Sequence, residues 1–526
     1  MRARRLIWPY NNNGRDYITV IALAMMAVLL SACERQQTAL DQPEVAGVPW
    51  FRGSVEEAFA AARKQDKPLF LYWGADWCPP CNELKITVFR DLEFIEQSRL
   101  FIPVYLDGDT PRAQLHGERF QVWGYPTVIL FRPDGREVTR IPGGIELDRY
   151  LDVLELVLNN IRPVVELVEA VTAGETIDDH DWELLAWYSW GQDRGRALGI
   201  RDHHALFRQL AGAAPGHLEQ ARSRLQLQAI DAWMGQQSRV RDGSLAGEYR
   251  DWLNAMLAKK SLTRANLEYL SYNVTDLVED LHTASAPLDL GQWDQQLAYF
   301  SSQTSLSISA RVIAVAGRVS LAKASGGIDD ELMREVERTV AWADAEARTG
   351  DERQTAISAA WSLLVTAGRT DEAETLFARE LEKSHSPFEL MTVLADMAAH
   401  AGREQQALAW LERAWSESIG AATRVQVGVK YLVGLMQFAP DDTVAVRHGI
   451  ATLMNDLGAQ QEPLHGRNVR ALDRLSEQML AWAEFDDDRV EILEDTRRLM
   501  AGLCTAADER GKQPICQRFL LAMDDV

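Results

Sequence analysis

Hydrophobic and polar positions divide the chain into an apolar leader, a mixed segment at residues 50–160 and a long helical segment. In the mixed segment, short apolar runs typical of buried strands alternate with stretches whose apolar residues recur at helical spacing. Runs at 68–73 and 101–107 predict two buried strands, and 127–131 with 137–141 predict a hairpin around an Arg-Pro-Asp-Gly turn. We therefore predict an α/β fold for this segment.

Residues 161–526 contain few prolines and almost no alternating strand pattern, which predicts an all-α region. Within it, Ala-Gly-Arg at 367–369 recurs at 401–403, a separation of 34 residues. This is the period of tetratricopeptide (TPR) repeats, so we predict TPR-like repeats near 357–424. Two repeats cannot bury a solenoid core alone, so flanking helices would be degenerate repeats or caps. The alternative is chance recurrence in an Ala-rich helical chain.

Residues 1–32 have the pattern of a secretory signal peptide. Arginines precede an uncharged apolar run of about 13 residues, too short to cross a ~30 Å hydrocarbon core as a transmembrane anchor. The run ends at Leu-Ser-Ala-Cys33, which resembles the lipobox of bacterial lipoproteins. The resemblance implies lipidation of Cys33, a polar linker at 33–49, and a periplasmic protein anchored to a membrane, with the outer membrane slightly favoured.

Composition and charge narrow the classes of function. The chain is 47% apolar and 25% charged, a composition typical of soluble globular proteins. Its 526 residues are more than one hydrophobic core usually supports, so we expect several domains. The chain carries 77 acidic against 55 basic residues, a net charge of −22, which argues against nucleic acid as a partner. The five cysteines are few, and in a periplasmic setting disulfides between them can persist.

A Cys-Pro-Pro-Cys motif at 78–81 follows the first predicted strand and begins a helical pattern. No second cysteine pair or nearby histidine completes a zinc site, so we predict no metal and no cofactor. The helix dipole and free backbone N–H groups favour a thiolate at a helix N-terminus. We therefore expect Cys78 to be the exposed nucleophile and Cys81 the resolving thiol. The two prolines lack N–H groups that could stabilise the Cys78 thiolate, so we expect its pKa to be less depressed than in strongly oxidising proteins. A less depressed pKa favours a reducing or isomerising activity.

The strand, the Trp77-Cys-x-x-Cys turn, the helix and a Tyr125-Pro126 pair about 45 residues later resemble the thioredoxin superfamily. Ala-Asp-Trp-Cys and Leu-Lys-x-x-Val-Phe are similar to the C-terminal domains of DsbD-type periplasmic reductases. The resemblance implies a thioredoxin-like fold over about 110 residues, a redox-active Cys78–Cys81 disulfide and a cis bond before Pro126. It also implies substrate contacts by Trp77, Tyr125 and Pro126. The alternatives are simple packing for Trp77 and an ordinary trans bond at Pro126.

One position departs from the thioredoxin pattern. Thioredoxins carry a buried Asp six residues before the nucleophile, paired with a Lys on the neighbouring strand. Here that position is Tyr72, and the run at 101–107 contains no lysine. The usual proton acceptor for Cys81 is therefore absent. Asp76 and Glu83 are possible replacements, and each also fits a solvated surface charge.

Cys504 and Cys516 flank a polar loop near the C-terminus. They predict a structural disulfide between the last two helices, with a second redox pair served by Cys78 as the alternative.

These features together predict a membrane-tethered periplasmic thiol–disulfide oxidoreductase. It would reduce or exchange disulfides in envelope proteins, take electrons from a protein donor and recruit partners through its helical repeats. The alternative is a non-catalytic envelope scaffold with a vestigial redox domain, which Tyr72 and the size of the helical region favour.

Overall fold

The computed structural model describes residues 47–143, 147–159, 162–199, 201–236, 243–283, 286–460, 463–484 and 486–508. The predicted signal peptide, Cys33, most of the linker and Cys516 lie outside these described residues. The described part consists of an α/β domain, residues 47–159, and a helical region, residues 164–508. The predicted order, an α/β domain followed by an all-α region, is confirmed.

The α/β domain contains a four-stranded mixed sheet. Its strands have the order β2-β1-β3-β4, with β1 parallel to β2 and antiparallel to β3, and β3 antiparallel to β4. The strands are β1 (Leu69–Gly74), β2 (Ile102–Asp107), β3 (Thr127–Phe131) and β4 (Glu137–Ile141). The helices are α1 (Val55–Gln65), α2 (Pro79–Thr87), α3 (Leu92–Gln97), α4 (Pro111–Arg119) and α5 (Leu147–Asn159).

Both faces of the sheet are covered, and β1 is therefore buried along its whole length. Leu71 and Trp73 point to a core shared with α1 and α4, whereas Phe70 and Tyr72 point to the opposite core, shared with α2, α3 and α5. This second core continues without a break into the first helices of the helical region, as far as Ala229. The two parts of the chain are thus held together by shared apolar packing.

The helical region contains twenty described helices, and beyond β4 the described residues form no strand apart from one isolated bridge. They are α6 (Val164–Thr172), α7 (Asp179–Ala186), α8 (Trp190–Asp193), α9 (His203–Ala213), α10 (Glu219–Met234), α11 (Leu245–Leu257), α12 (Lys260–Ala265), α13 (Leu267–Tyr272), α14 (Val274–Leu281), α15 (Leu290–Ser301), α16 (Ile308–Ala324), α17 (Asp330–Glu346), α18 (Gly350–Thr366), α19 (Thr370–Glu380), α20 (Pro387–His400), α21 (Glu404–Glu417), α22 (Ala421–Phe438), α23 (Thr443–Gly458), α24 (Gly466–Ala483) and α25 (Asp487–Asp508). No helix among the described residues is both long enough and apolar enough to cross a membrane.

The 34-residue recurrence falls on two successive helical hairpins. Helices α18 and α19 turn at Gly368, and α20 and α21 turn at Gly402. Both glycines have a positive φ, +78° and +71°, which explains why glycine recurs there. The ring of Trp361 stacks on that of Phe377 inside the first hairpin, with centroids 5.1 Å apart. Assignment of these hairpins to the TPR class remains a prediction.

Candidate functional site

The two cysteines of the motif form a disulfide at the start of α2, with Cα atoms 5.2 Å apart. The chain leaves the sheet at the end of β1, turns through residues 75–81 (the CxxC turn) and enters α2 with Cys78 as its N-cap. The prolines occupy the first two helical positions, where a missing N–H leaves no intrahelical bond unmade. The backbone N–H of Cys81 donates to Cys78 Sγ at 3.2 Å. That hydrogen bond favours negative charge on Cys78.

The expectation that Cys78 is exposed is wrong for this structure. Its relative exposure is 3%, and that of Cys81 is 0%. Ala75, Trp77 and Tyr125 pack against the two cysteines, and the helical region in turn contacts Trp77 and the backbone of the CxxC turn, which no local sequence pattern reports.

The Tyr125–Pro126 peptide bond is cis, so that prediction is confirmed. The Tyr125 hydroxyl donates to the Gly108 carbonyl at 3.0 Å and accepts from Gln114 Nε2 at 2.9 Å. The Tyr125 ring lies 6.1 Å from that of Trp77, and both side chains pack against the two cysteines. Trp77 and Tyr125, which the resemblance singled out, therefore lie together beside the disulfide.

Asp109 is a buried carboxylate at this site that sequence reasoning missed. Its Oδ2 accepts from Trp77 Nε1 at 2.7 Å, and its Oδ1 accepts from Thr423 Oγ1 at 2.5 Å. Arg467 Nη1 pairs with the same Oδ1 at 3.1 Å. Burial raises the pKa of Asp109, while Arg467 and the hydrogen bonds act to lower it. No local pattern marks Asp109, because two of its partners lie more than 300 positions away.

The helical region also hydrogen-bonds the backbone of the CxxC turn. Gln354 Nε2 donates to the carbonyl oxygen of Trp77 at 3.0 Å. His385 Nε2 donates to the carbonyl oxygen of Asp76 at 2.8 Å. Both residues come from the segment around the first helical hairpin, so that hairpin lies directly against the turn.

The structure gives different surroundings to the candidate proton acceptors for Cys81. Tyr72 is fully buried, its hydroxyl has no hydrogen-bond partner in the described part of the chain, and burial raises its pKa well above the ordinary value of a tyrosine. It therefore does not accept a proton. The Asp76 side chain is 70% exposed and pairs with Lys85 Nζ at 2.5 Å, as a surface charge does. Glu83 has one carboxylate oxygen buried without a hydrogen bond to any described residue.

Cys504 is buried in α25, and its predicted partner Cys516 lies outside the described residues, so that pairing stays a prediction. Throughout the described part of the chain, no group of three or more His, Cys, Asp or Glu side chains is placed to hold a metal ion.

Comparison with known proteins concerns the α/β domain. Residues 55–158 match the family model of the thioredoxin-like domain. The thiol:disulfide interchange protein DsbD of Ralstonia nicotianae is 30% identical over 158 residues, covering 28% of this chain and 24% of that protein. DsbD of Pseudoalteromonas atlantica is 26% identical over 99 residues, covering 18% and 17%.

DsbD of Haemophilus influenzae is 30% identical over 88 residues, covering 16% of this chain and 15% of that protein. The chain thus spans less than a quarter of the length of these curated relatives. The solution structure of a thioredoxin from Thermus thermophilus is 25% identical, covers 21% of this chain and 87% of its own, and has a TM-score of 0.20. The chain therefore carries a thioredoxin-like domain at residues 55–158, and a long all-α region follows it.

Proposed function

We propose that this protein is a thiol–disulfide oxidoreductase that reduces or exchanges disulfides in other proteins through Cys78 and Cys81. The observation that carries the proposal is the Cys78–Cys81 disulfide at the N-terminus of α2, beside Trp77 and the cis Tyr125–Pro126 bond. The match of residues 55–158 to the thioredoxin-like model, and relatives named thiol:disulfide interchange proteins, support it.

In the reducing direction, the dithiol form of the domain reacts. The Cys78 thiolate attacks one sulfur of a substrate disulfide, that S–S bond breaks, and the leaving sulfur takes up a proton as a thiol. The Cys81 thiolate then attacks Cys78 Sγ, re-forms the Cys78–Cys81 disulfide and releases the second substrate thiol. Two electrons pass to the substrate, and a protein electron donor would restore the dithiol.

Three features of the fold favour Cys78 as the attacking thiol. It caps α2, where the positive end of the helix dipole stabilises a thiolate, and it accepts the Cys81 N–H. Trp77 and Tyr125 flank it, and we assign them, with Pro126, to substrate contact. Cys81 lies inside the first turn of α2 and is fully buried, which suits a resolving thiol.

The location and the role of the helical region belong to the same proposal. Lipidation at Cys33 would tether the chain to a membrane facing the periplasm, as the Leu-Ser-Ala-Cys stretch and the DsbD relatives suggest. We assign residues 50–160 to the redox domain and 161–526 to partner recruitment, with TPR-like hairpins near 357–424. The paired helical hairpins that turn at Gly368 and Gly402 support that assignment.

A non-catalytic scaffold in the cell envelope is the second candidate. The 3% exposure of Cys78 favours it, since a buried sulfur does not exchange. Turnover of a protein disulfide therefore separates the two candidates.

The experiment is reduction of insulin disulfides by the purified full chain with dithiothreitol, compared with Cys78→Ser and Cys81→Ser. We expect turnover by the wild type and background rates in both variants, with unchanged circular dichroism. In addition, Cys81→Ser purified from the envelope without reductant should hold disulfide-linked partners that the Cys78→Ser/Cys81→Ser control lacks. A Cys78→Ser variant with undiminished turnover would rule out the proposal, as would a wild type at background rate together with a Cys81→Ser variant that holds no disulfide-linked partner.

A further inference from the structure

The helical region lies against the CxxC turn that carries Cys78. Gln354 and His385 donate hydrogen bonds to the carbonyl groups of the two residues that precede Cys78. Thiol–disulfide exchange requires an attacking sulfur to reach bonding distance of the sulfur it attacks. At 3% exposure, Cys78 offers no such approach in this arrangement. Exchange therefore requires this arrangement to change, and the helical region contributes the contacts that hold Trp77 and Tyr125 in place.

Arg467, in α24, is the centre of this contact. Its guanidinium lies 4.8 Å from the ring centroid of Trp77 and 5.4 Å from that of Tyr125, and it pairs with Asp109. Its backbone N–H donates to Gln114 Oε1 at 3.0 Å, and that amide also binds the Tyr125 hydroxyl. A single side chain thus covers both aromatic residues that flank the disulfide.

The Asp109–Arg467 pair is more sheltered than the ion pairs at the edges of the interface. The side chains of Asp109 and Arg467 are 10% and 16% exposed. At the edges, the pairs of Arg90 with Asp351 and of His465 with Glu118 each include a side chain that is over 40% exposed. Exposed ion pairs contribute little to the stability of an interface, whereas removing one partner of a sheltered pair leaves an uncompensated charge. Removing Arg467 therefore leaves Asp109 sheltered without its ionic partner.

We propose that the helical region is a gate over the redox disulfide and that Arg467 is the residue that holds this gate closed. In the closed arrangement Arg467 holds Asp109 and occupies the faces of Trp77 and Tyr125. A protein partner exchanges with Cys78 only when it captures the open arrangement, in which both rings are free. This inference rests on the proposed function, because it states how partners of that same site are selected.

The test is the rate at which iodoacetamide alkylates Cys78 in the reduced full chain, followed by mass spectrometry. Rates are compared at pH values above the thiol pKa, so that a changed thiolate fraction does not contribute. We expect Arg467→Ala to react at least about tenfold faster than the wild type, because a closed fraction protects the thiol. Thr423→Val, which removes only the hydroxyl that binds Asp109, should show a smaller increase.

Arg447→Ala is the matched control, because among the described residues Arg447 forms ion pairs with Asp495 and Glu491 of the helical region, and its loss changes the charge equally. Circular dichroism of the same sample reports any general unfolding. Equal Cys78 rates in wild type and Arg467→Ala would overturn the gate. So would an equal acceleration in Arg447→Ala, or an acceleration in Arg467→Ala that accompanies a loss of helical circular dichroism.

Insulin turnover measured on the same samples separates this inference from the proposed function. If Arg467→Ala exposes Cys78 and no variant reduces insulin, the gate stands and the proposed function fails. If the wild type reduces insulin and its Cys78 reacts as fast as in Arg467→Ala, the function stands and the gate is overturned.

Discussion

Arg467 and Asp109 lie 358 positions apart in the sequence, yet Nη1 of the arginine and Oδ1 of the aspartate are 3.1 Å apart beside the CxxC turn. The same aspartate accepts the indole N–H of Trp77, the residue directly before Cys78. One carboxylate therefore links the α/β domain, the CxxC turn and the far end of the helical region. A change at Asp109 is expected to affect both folding and access to the disulfide.

Asp109 should make stability depend on pH. Burial raises the pKa of Asp109, although Arg467 acts to lower it. Tyr125 and Glu389 also interact electrostatically with Asp109. The folded state then holds this proton more tightly than the unfolded chain, so the contribution of Asp109 to stability declines as pH rises through its raised pKa. Asp109→Asn removes that titration.

The measurement is urea unfolding of wild type and Asp109→Asn between pH 4 and pH 7.5. We expect the wild type to lose stability relative to the variant as pH rises. A constant difference, or one with the opposite slope, would contradict the raised pKa. The absolute difference also contains the loss of the charge partner of Arg467, so only the slope tests the prediction.

His116 should change the free energy of unfolding with pH in the direction opposite to Asp109. It is buried in α4, its Nδ1 has no hydrogen-bond partner among the residues that the structure describes, and burial lowers its pKa from 6.5. The unfolded chain therefore takes up the proton first, and the free energy of unfolding falls as pH drops below about 6.5, by at most about 1.4 kcal/mol per pH unit. In His116→Gln, urea midpoints between pH 5 and pH 7.5 should vary less than in the wild type. A variant with the wild-type pH profile would show that another group is responsible.

Gly368 and Gly402 should not tolerate alanine. Their φ angles are +78° and +71°, and an added Cβ would meet no atom within 4 Å, so the cost is backbone strain alone. We expect each substitution to destabilise the helical region by about 1–2 kcal/mol, measured as a lower urea midpoint in circular dichroism. Gly502→Ala is the matched control. That glycine lies inside α25 with equally open surroundings, and alanine should stabilise the helix by about 0.5–1 kcal/mol. Equal effects at all three glycines would contradict the argument.

The sequence predicted the α/β domain well because its signals are local. The capping box of Ser54 and Glu57 begins α1, and the hairpin of β3 and β4 has the predicted bounds. The first two strands differ from the predicted runs only at their ends. Short apolar runs, turn residues and caps act over a few positions, so a single sequence reports them.

The covering of the disulfide could not be predicted in the same way. It depends on Gln354, His385 and Arg467, none of which belongs to a motif or a periodic pattern. Their positions result from how more than ten helices stack before the chain returns to the CxxC turn. The sequence therefore indicated the chemistry of Cys78 and Cys81, whereas their burial follows only from the folded chain.

Tyr72 occupies the position at which thioredoxins carry a buried carboxylate, and its removal tests whether it takes over that role. Its hydroxyl is buried without a hydrogen-bond partner among the described residues, and burial raises its pKa, so it neither accepts nor releases a proton near neutral pH. An unsatisfied buried hydroxyl costs free energy that phenylalanine would not. Tyr72→Phe should therefore leave the free energy of unfolding unchanged or raise it by up to about 1–2 kcal/mol. Insulin turnover and its pH profile should match those of the wild type. A variant that folds normally but releases its mixed disulfide more slowly would instead identify the Tyr72 hydroxyl as part of the proton pathway to Cys81.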